Sequence, residues 1–565
     1  MPTLLYFLLG GALVSCVLFL VRERQSLEAL RNNWRWLGLI LLVTLVWRLP
    51  FDGRWFFGLE YEDSYIYSVS ARYVNSGART CSPGNSCYLT TVCVVGNRNS
   101  CRGSETSSGH FLGYPLMIAI ASRLFGYSPA IASYLSLIAA MATTVLIFLS
   151  GKLIDGKTAG LAASVIFGLT PVFAVQGVGT YAEPVSSMLV VASFLLCVRL
   201  LNSDTDSQRA LLVNWLALTA TAVLAVAVKR ENVLLVPVIT LAGLMFNLGR
   251  RDRAQRKRWL VNLGALTSGG ICVVFAVVQL RIVTVVQREM VEYAVFPFNV
   301  AVLRTMLPLF LKSYASVSWY LGGGILVLLG LIASIRAKRC GIYAVSVLIA
   351  YLLLYASHVR SYYQLQNGDV AQFDTLRYSM NIAGLWSILA GLGFAFSVDT
   401  LTKGRFGAWL RRRSGRVILW LFVGTYVMSS WVLTNRWKED MVSTELAIRI
   451  EPAEAALELV DDLGTKNTFV ITLEPLLVQM LCREPVNVIA FPYLNGSLVQ
   501  DVRRNNPEAT FLYLEQAIYT SESDRERYRG AFDFLDGVQK ERLSGNKNYV
   551  IYRINMPESA KVEQH

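Results

Sequence analysis

The sequence predicts a polytopic α-helical membrane protein of about 12 transmembrane helices, with a small extracytoplasmic α/β domain at its C-terminus. Three observations carry this. The 565 residues are 54% apolar and only 16% charged, where a soluble domain averages about 25% charged. Uncharged runs long enough for the roughly 20 residues of a crossing recur up to residue 435. The last 131 residues instead mix short strand-like and helix-like patterns with ordinary charge density.

Uncharged runs occupy 1–21, 124–151, 259–280, 313–335, 378–398 and 417–435. Between Lys157 and Arg199 the one charged residue is Glu183, and between Arg209 and Arg250 the charged residues are Lys229, Arg230 and Glu231. Each stretch reads as a hairpin of two spans with its charge at the tip. Shorter spans near 36–51 and 340–357 complete the set. The organisation expected is two N-terminal spans (1–50), a first outer loop with surface helices and a Cys-rich insert (51–128), the transmembrane core (129–434) and the α/β domain (435–565).

Lys and Arg resist translocation, so the basic loops face the cytoplasm. Segments 22–35, 151–158, 199–210, 249–258, 336–340 and 399–416 hold 23 Lys/Arg in 67 residues, and the alternate loops hold 13 in 127. Both termini are therefore expected outside. The formal charge of +14 divides into about +20 before Asn435 and about −6 after it. The basicity belongs to membrane loops, which excludes a nucleic-acid partner. Arg22 and Arg24 after the uncharged opening suit an N-out anchor better than a cleaved signal peptide.

Cys81, Cys87, Cys93 and Cys101 crowd into a Gly/Ser/Asn-rich part of the first outer loop. They read as two disulfides of undetermined pairing in an oxidising compartment; zinc is the rival, though no CxxC pair is present. In the same loop EDSYIYSVSARYVNSG and FLGYPLMIAIASRLFG read as helices lying on the membrane, the first with Tyr65, Ile66, Val69 and Tyr73 on its apolar face. In the tail TFVITL, VNVIAF, TFLYLEQ and NYVIYRI read as strands, LEPLLVQMLC as a helix and SESDRERYRGAFDFL as a capped helix.

Ionisable residues at hairpin tips within apolar sequence are functional candidates. Glu183 could instead be a solvated loop carboxylate. Lys229 and Arg230 crowd a three-residue outer turn against the orientation rule, which a buried anion would explain and a structural ion pair would also explain. Arg377 and Tyr378 stand at the mouth of a late span, where Arg either forks onto phosphate or snorkels to the interface. Glu60, Glu62 and Asp63 follow an early span, either as helix-start acids or as a base, and His110 precedes the second surface helix. Acids able to deprotonate a hydroxyl, with cations able to stabilise a departing phosphate, suit displacement at a sugar carbon. A transporter would place such groups near the midplane.

These residues resemble the GT-C glycosyltransferases, in the branch containing protein O-mannosyltransferases and the lipid A aminoarabinose transferase. EYEDSYIYSVSARYVNSG is similar to that family's acidic first-loop signature, HFLGYPLMIAIASRLFG to its next surface helix, and KLIDGKTAGLAASVIFGLTPVF to the following hairpin. YAEP, KREN and LRYSMN resemble its later acidic, Arg-Glu and Arg-Tyr elements, in order over residues 50–400. The resemblance implies a GT-C-like fold and an inverting transferase. It would move sugar from a polyprenyl-phosphate donor to an acceptor hydroxyl on a glycan, lipid or protein at the extracytoplasmic face; a lipid-linked-sugar flippase is the alternative. It implies Glu62 or Asp63 as general base, Glu183 as an orienting acid, and Lys229, Arg230, Arg377, Tyr378 and His110 on the donor phosphate. Members differ over a divalent metal, which leaves metal dependence open. A bacterial inner membrane is favoured, and the sequon Asn495-Gly496-Ser497 is compatible with an endoplasmic reticulum protein.

The sequence departs from the family pattern in three places. The acid pair reads Glu-Asp, Phe111 and Leu112 replace the prolines after the His position, and the Cys-rich insert is added.

Overall fold

A computed structural model describes residues 28, 30–49, 67–69, 71–72, 113–202, 208–248, 255–286, 300–316, 320–357, 371–402, 413–465, 467–482, 486–491 and 494–555. The chain divides into two compact units. One comprises 1–56, 109–114 and 133–438; the other comprises 57–108, 115–132 and 439–565.

The first unit is a helical bundle. Its elements are α1 (Trp34–Arg48), the start of α2 (Gly113–Phe125), α3 (Ile131–Leu169), α4 (Pro171–Gln176), α5 (Glu183–Asn202), α6 (Gln208–Val228), a 3-10 turn (Arg230–Leu234) and α7 (Leu235–Leu248). There follow α8 (Gln255–Val286), α9 (Val300–Ala315), α10 (Gly323–Arg336), α11 (Lys338–Ala356), α12 (Ala371–Thr402) and α13 (Arg413–Glu445). Among the described residues five helices are long and apolar enough to cross a membrane. The chain is an integral membrane protein. Residues 1–27, to which the sequence assigns a first span, lie outside the described residues.

The 39-residue α3 is two helical arms. Asp155 and Gly156 break it, and Gly156 takes φ 87°, a conformation that glycine alone adopts without strain. The halves then pack closely: a Cβ on Gly160 would lie 2.5 Å from the Phe148 carbonyl oxygen. Small residues of this kind let membrane helices approach to backbone contact. Gly160→Val is expected to cost about 1–3 kcal/mol by overpacking, read as a lower melting temperature in detergent. Gly270, whose Cβ would meet open space, is the control: Gly270→Ala should be neutral or slightly stabilising.

The basic-loop helix ends gather at one end of the bundle. There Asn202 Nδ2 donates to the Leu153 carbonyl (3.1 Å) and the Cys340 thiol donates to Asn202 Oδ1 (3.1 Å). Arg336 stacks 4.4 Å over Phe396, and Asp155 is within electrostatic reach of Asp399 and Arg336. The alternate turns, 176–183 and 229–232, meet at the other end. Helices α5 and α12 therefore run in the same direction, away from that second end.

One expected span is broken. The apolar stretch 313–335 does not form a single helix, because α9 ends at Ala315 and α10 begins at Gly323. Leu321 (φ 50°) and Gly322 (φ 72°) turn left-handed between them. An uncharged run does not reveal such a turn, since both arms stay apolar.

The second unit contains a five-stranded sheet, β1 (Thr468–Thr472), β2 (Asn487–Ala490), β3 (Thr510–Gln516), β4 (Gln539–Gly545) and β5 (Tyr549–Asn555), in the order β2-β1-β3-β5-β4. The first three strands are parallel, and β5 and β4 add antiparallel at one edge. Helices α14 (Glu451–Leu463), α15 (Pro475–Leu481) and α16 (Gly496–Asn505) surround the parallel part, with α17 (Glu522–Arg527) and α18 (Arg529–Asp536) before β4. The four strands expected from sequence are present. The single capped helix expected near 521–535 is two helices that part at Tyr528, though Ser521 does cap the first by accepting from the Asp524 amide (3.2 Å).

The first-loop helix is spent on this domain. Residues 67–69 and 71–72 are helical, and Val69 is buried in one core with Val460, Leu477 and Leu512. That corrects the expectation that Val69 faces lipid. Arg72 donates to the carbonyls of Gln479 (2.5 Å) and Cys482 (2.8 Å) and lies 3.9 Å over the Tyr127 ring, while the Tyr127 hydroxyl donates to the Met480 carbonyl (2.6 Å). Together they satisfy carbonyls that the end of α15 leaves open. Burial pushes the Cys482 thiol up, and the adjacent Arg72 partly opposes this. The thiol therefore behaves as an inert core group.

Candidate active site

The strongest polar feature of the bundle lies at its second end. Glu183 opens α5 and is fully buried, and its Oε1 is 2.7 Å from Lys229 Nζ, also buried. Each charge occupies the favourable pole of a helix, the carboxylate at the N-terminus of α5 and the ammonium just past the C-terminus of α6. A solvated loop carboxylate, the alternative for Glu183, is ruled out by that burial.

Around the pair the hydrogen bonds interlock. Asn232 donates from Nδ2 to Ser186 Oγ (2.8 Å) and to the Ala225 carbonyl (2.8 Å), and accepts from the Tyr351 hydroxyl at Oδ1 (3.3 Å). Ser136 Oγ donates to the Gly179 carbonyl (2.6 Å) and lies 3.4 Å from the Tyr114 hydroxyl. Tyr181 donates to Gln176 Oε1. The YAEP and KREN turns are thus locked together, across α5, α6 and α11, by side chains of the bundle itself.

Two buried cations, Arg48 and Lys438, stand at the end of α1. The Arg48 guanidinium donates to the carbonyls of Thr44 (3.2 Å), Gly168 (3.3 Å) and Phe173 (3.1 Å), and its Nε faces Gly177, where a Cβ would lie 2.8 Å away. Lys438 donates to the carbonyls of Trp47 (2.6 Å) and Leu49 (2.7 Å). These carbonyls lie at or near helix ends, and the Phe173 carbonyl also accepts from the Gly177 amide (3.0 Å); at membrane depth their remaining capacity is met by protein. The turn leading toward Glu183 is therefore pinned through Arg48 to the helix from which the first loop departs.

Of the residues singled out from sequence, Glu183 and Lys229 are brought together. Arg230 begins the 3-10 turn beside Lys229, and Arg377 and Tyr378 occupy the early turns of α12; the structure describes these three by backbone only. Glu62, Asp63, His110, Cys81, Cys87, Cys93 and Cys101 lie outside the described residues. Among the described residues no group of three or more His, Cys, Asp or Glu gathers as a metal site. Sequence reasoning missed Arg48, Lys438 and Tyr114. The first two carried a signal, a basic residue closing or following an apolar run, which reads equally well as snorkelling.

Residues 110–269 match the family model described as dolichyl-phosphate-mannose-protein mannosyltransferase. That range contains both Glu183 and Lys229. No curated protein matches the sequence. Among solved structures, ArnT from Cupriavidus metallidurans bound to undecaprenyl phosphate aligns with a TM-score of 0.58 at 11% identity, covering 93% of this chain and 98% of that one. The archaeal oligosaccharyltransferase AglB from Archaeoglobus fulgidus, in complex with an inhibitory peptide and a dolichol-phosphate, aligns with a TM-score of 0.48 at 12% identity, covering 93% and 74%. The alignment with ArnT extends over both units and shows that this chain shares its fold.

Proposed function

We propose that this chain, built on the GT-C fold, transfers a sugar from a polyprenyl-phosphate donor to an acceptor hydroxyl on the extracytoplasmic face, with inversion at the anomeric carbon. The acceptor is a glycan, lipid or protein, and the membrane is a bacterial inner membrane, with the endoplasmic reticulum as the alternative. The observation that carries the reading is the buried Glu183–Lys229 pair, held at the bundle end opposite the basic loops, inside the range that matches the mannosyltransferase family.

In this reaction Glu62 or Asp63 takes the proton of the acceptor hydroxyl as its oxygen attacks C1. The bond from C1 to the phosphate oxygen breaks, and polyprenyl phosphate leaves with its negative charge. Arg230, Arg377 and Tyr378, with His110, stabilise that departing anion. Glu183, neutralised by Lys229, orients the sugar or the acceptor. Lys229 in this arrangement acts through Glu183, whose carboxylate it neutralises and holds in place.

The test is turnover of undecaprenyl-phosphate mannose, glucose and 4-aminoarabinose by purified protein in detergent, scored by released undecaprenyl phosphate. Glu62→Gln and Asp63→Asn, made separately, are expected to leave one variant near wild type and to slow the other about a hundredfold, as loss of a general base does. Near-normal rates in both would reject the assignment. Movement of the donor across the membrane without release of undecaprenyl phosphate would identify a transporter instead.

A further inference from the structure

Helices α5 and α12 meet along a seam fixed by Gly384, whose Cβ position falls against Val191. At 100° per residue, Asn381 lies on the same face of α12 as Gly384 and Gly391, the latter meeting Ala163. The helices run in the same direction, so the turn before Val191 on α5, at Ser187, is level with the turn before Gly384 on α12, at Asn381. Both residues are fully buried. Among the described residues neither Oδ1 nor Nδ2 of Asn381 has a hydrogen-bond partner, and Ser187 Oγ has none.

A helical serine can turn its hydroxyl to a carbonyl one turn back. An asparagine amide has two donors and two acceptor sites, and leaving them unmet in the interior costs free energy that packing alone does not return. Such a group inside a membrane bundle is set for a polar ligand or for water. Its place suggests which ligand. Glu183 is one turn before Ser187 on α5, and Arg377 is one turn before Asn381 on α12. Four residues rise about 6 Å along a helix, comparable to the span from a sugar's phosphate to its ring hydroxyls.

We propose that the α5–α12 seam is the subsite for the transferred sugar, with Asn381 and Ser187 hydrogen-bonding its hydroxyls and setting which sugar is accepted. This rests on the transferase reading above, and extends it from the phosphate and the base to the specificity of the donor. A site built to bond a hydroxyl discriminates strongly against ligands that leave its polar groups unpaired.

The experiment compares binding of bare undecaprenyl phosphate with its mannosyl, glucosyl and 4-aminoarabinosyl forms to the full-length protein in nanodiscs. Wild type is expected to prefer one glycosylated lipid over its alternatives by at least about tenfold, one good hydrogen bond's worth. Asn381→Leu, similar in shape but apolar, should shrink that preference to within about threefold. Its affinity for the bare lipid should stay unchanged, and its melting temperature should stay equal or rise. Ser187→Ala, which removes a single atom, should weaken the preference in the same direction and carries the test if Asn381→Leu is not recovered folded. Retained preference in both variants overturns the subsite and leaves an ordered water as the partner of Asn381. Lower stability with unchanged preference likewise overturns it, as a structural role. If wild type binds none of the glycosylated lipids, the transferase reading falls first and the subsite with it.

Discussion

Lys229→Met alone is expected to destabilise the protein by about 3–5 kcal/mol, the usual cost of stranding one charge of a buried pair. Glu183 would be left fully buried with its 2.7 Å partner gone. Glu183→Gln should cost a similar amount by stranding the ammonium. The double variant Glu183→Gln/Lys229→Met removes both charges, and should be markedly more stable than either single, since neighbours that share one interaction are not additive. Thermal unfolding of the four proteins in one detergent gives the coupling. Turnover should stay lost in the double variant although it folds, because the carboxylate that orients the substrate is gone. Strict additivity of the two losses would show that the pair contributes no coupling.

Arg48→Met is expected to have an effect of the same order, about 3–5 kcal/mol. Three carbonyls, those of Thr44, Gly168 and Phe173, lose a charged donor, and each such bond carries about 1.5–3 kcal/mol, offset in part because the Phe173 carbonyl keeps the Gly177 amide. Arg48→Lys should restore only part of the loss, because a single ammonium cannot span carbonyls on three helices as a guanidinium fork does. Lys438→Met should cost less, as it leaves two carbonyls rather than three. The two cations are near enough to repel each other. Each single substitution already relieves that repulsion, so the double variant should lose more than the sum of the singles, and urea or thermal melts of the set check this.

Much of the fold was legible because charge is so sparse. A single Glu183 in a 41-residue apolar stretch, and the KREN cluster in the next, marked two hairpin tips, and the structure joins those tips by an ion pair. The strands at 468–472 and 510–516 announced themselves through β-branched and aromatic runs. Other features gave no such signal. The polar strand QKERLSG pairs at the sheet edge, where none of its residues is fully buried and no alternation is required. Asn381 carries no charge and sits in an apolar run, so its buried amide is visible only in three dimensions. The left-handed turn at Leu321 and Gly322 is hidden by the apolar residues on both sides. The use of Val69 on the α/β domain rather than on lipid depends on partners nearly 400 residues away, which no local pattern encodes.

Arg72 and Cys482 are 410 residues apart in the chain, and this has a consequence for biosynthesis. The segment that carries Val69 and Arg72 is translated early, whereas the carbonyls that hold Arg72 and the apolar core that receives Val69 are translated near the end. During most of elongation this early segment has nothing to dock on. A nascent chain released before residue 482 would carry an inserted bundle but an untethered loop, so the bulk of the protein could pass into the bilayer without the loop reaching its final setting.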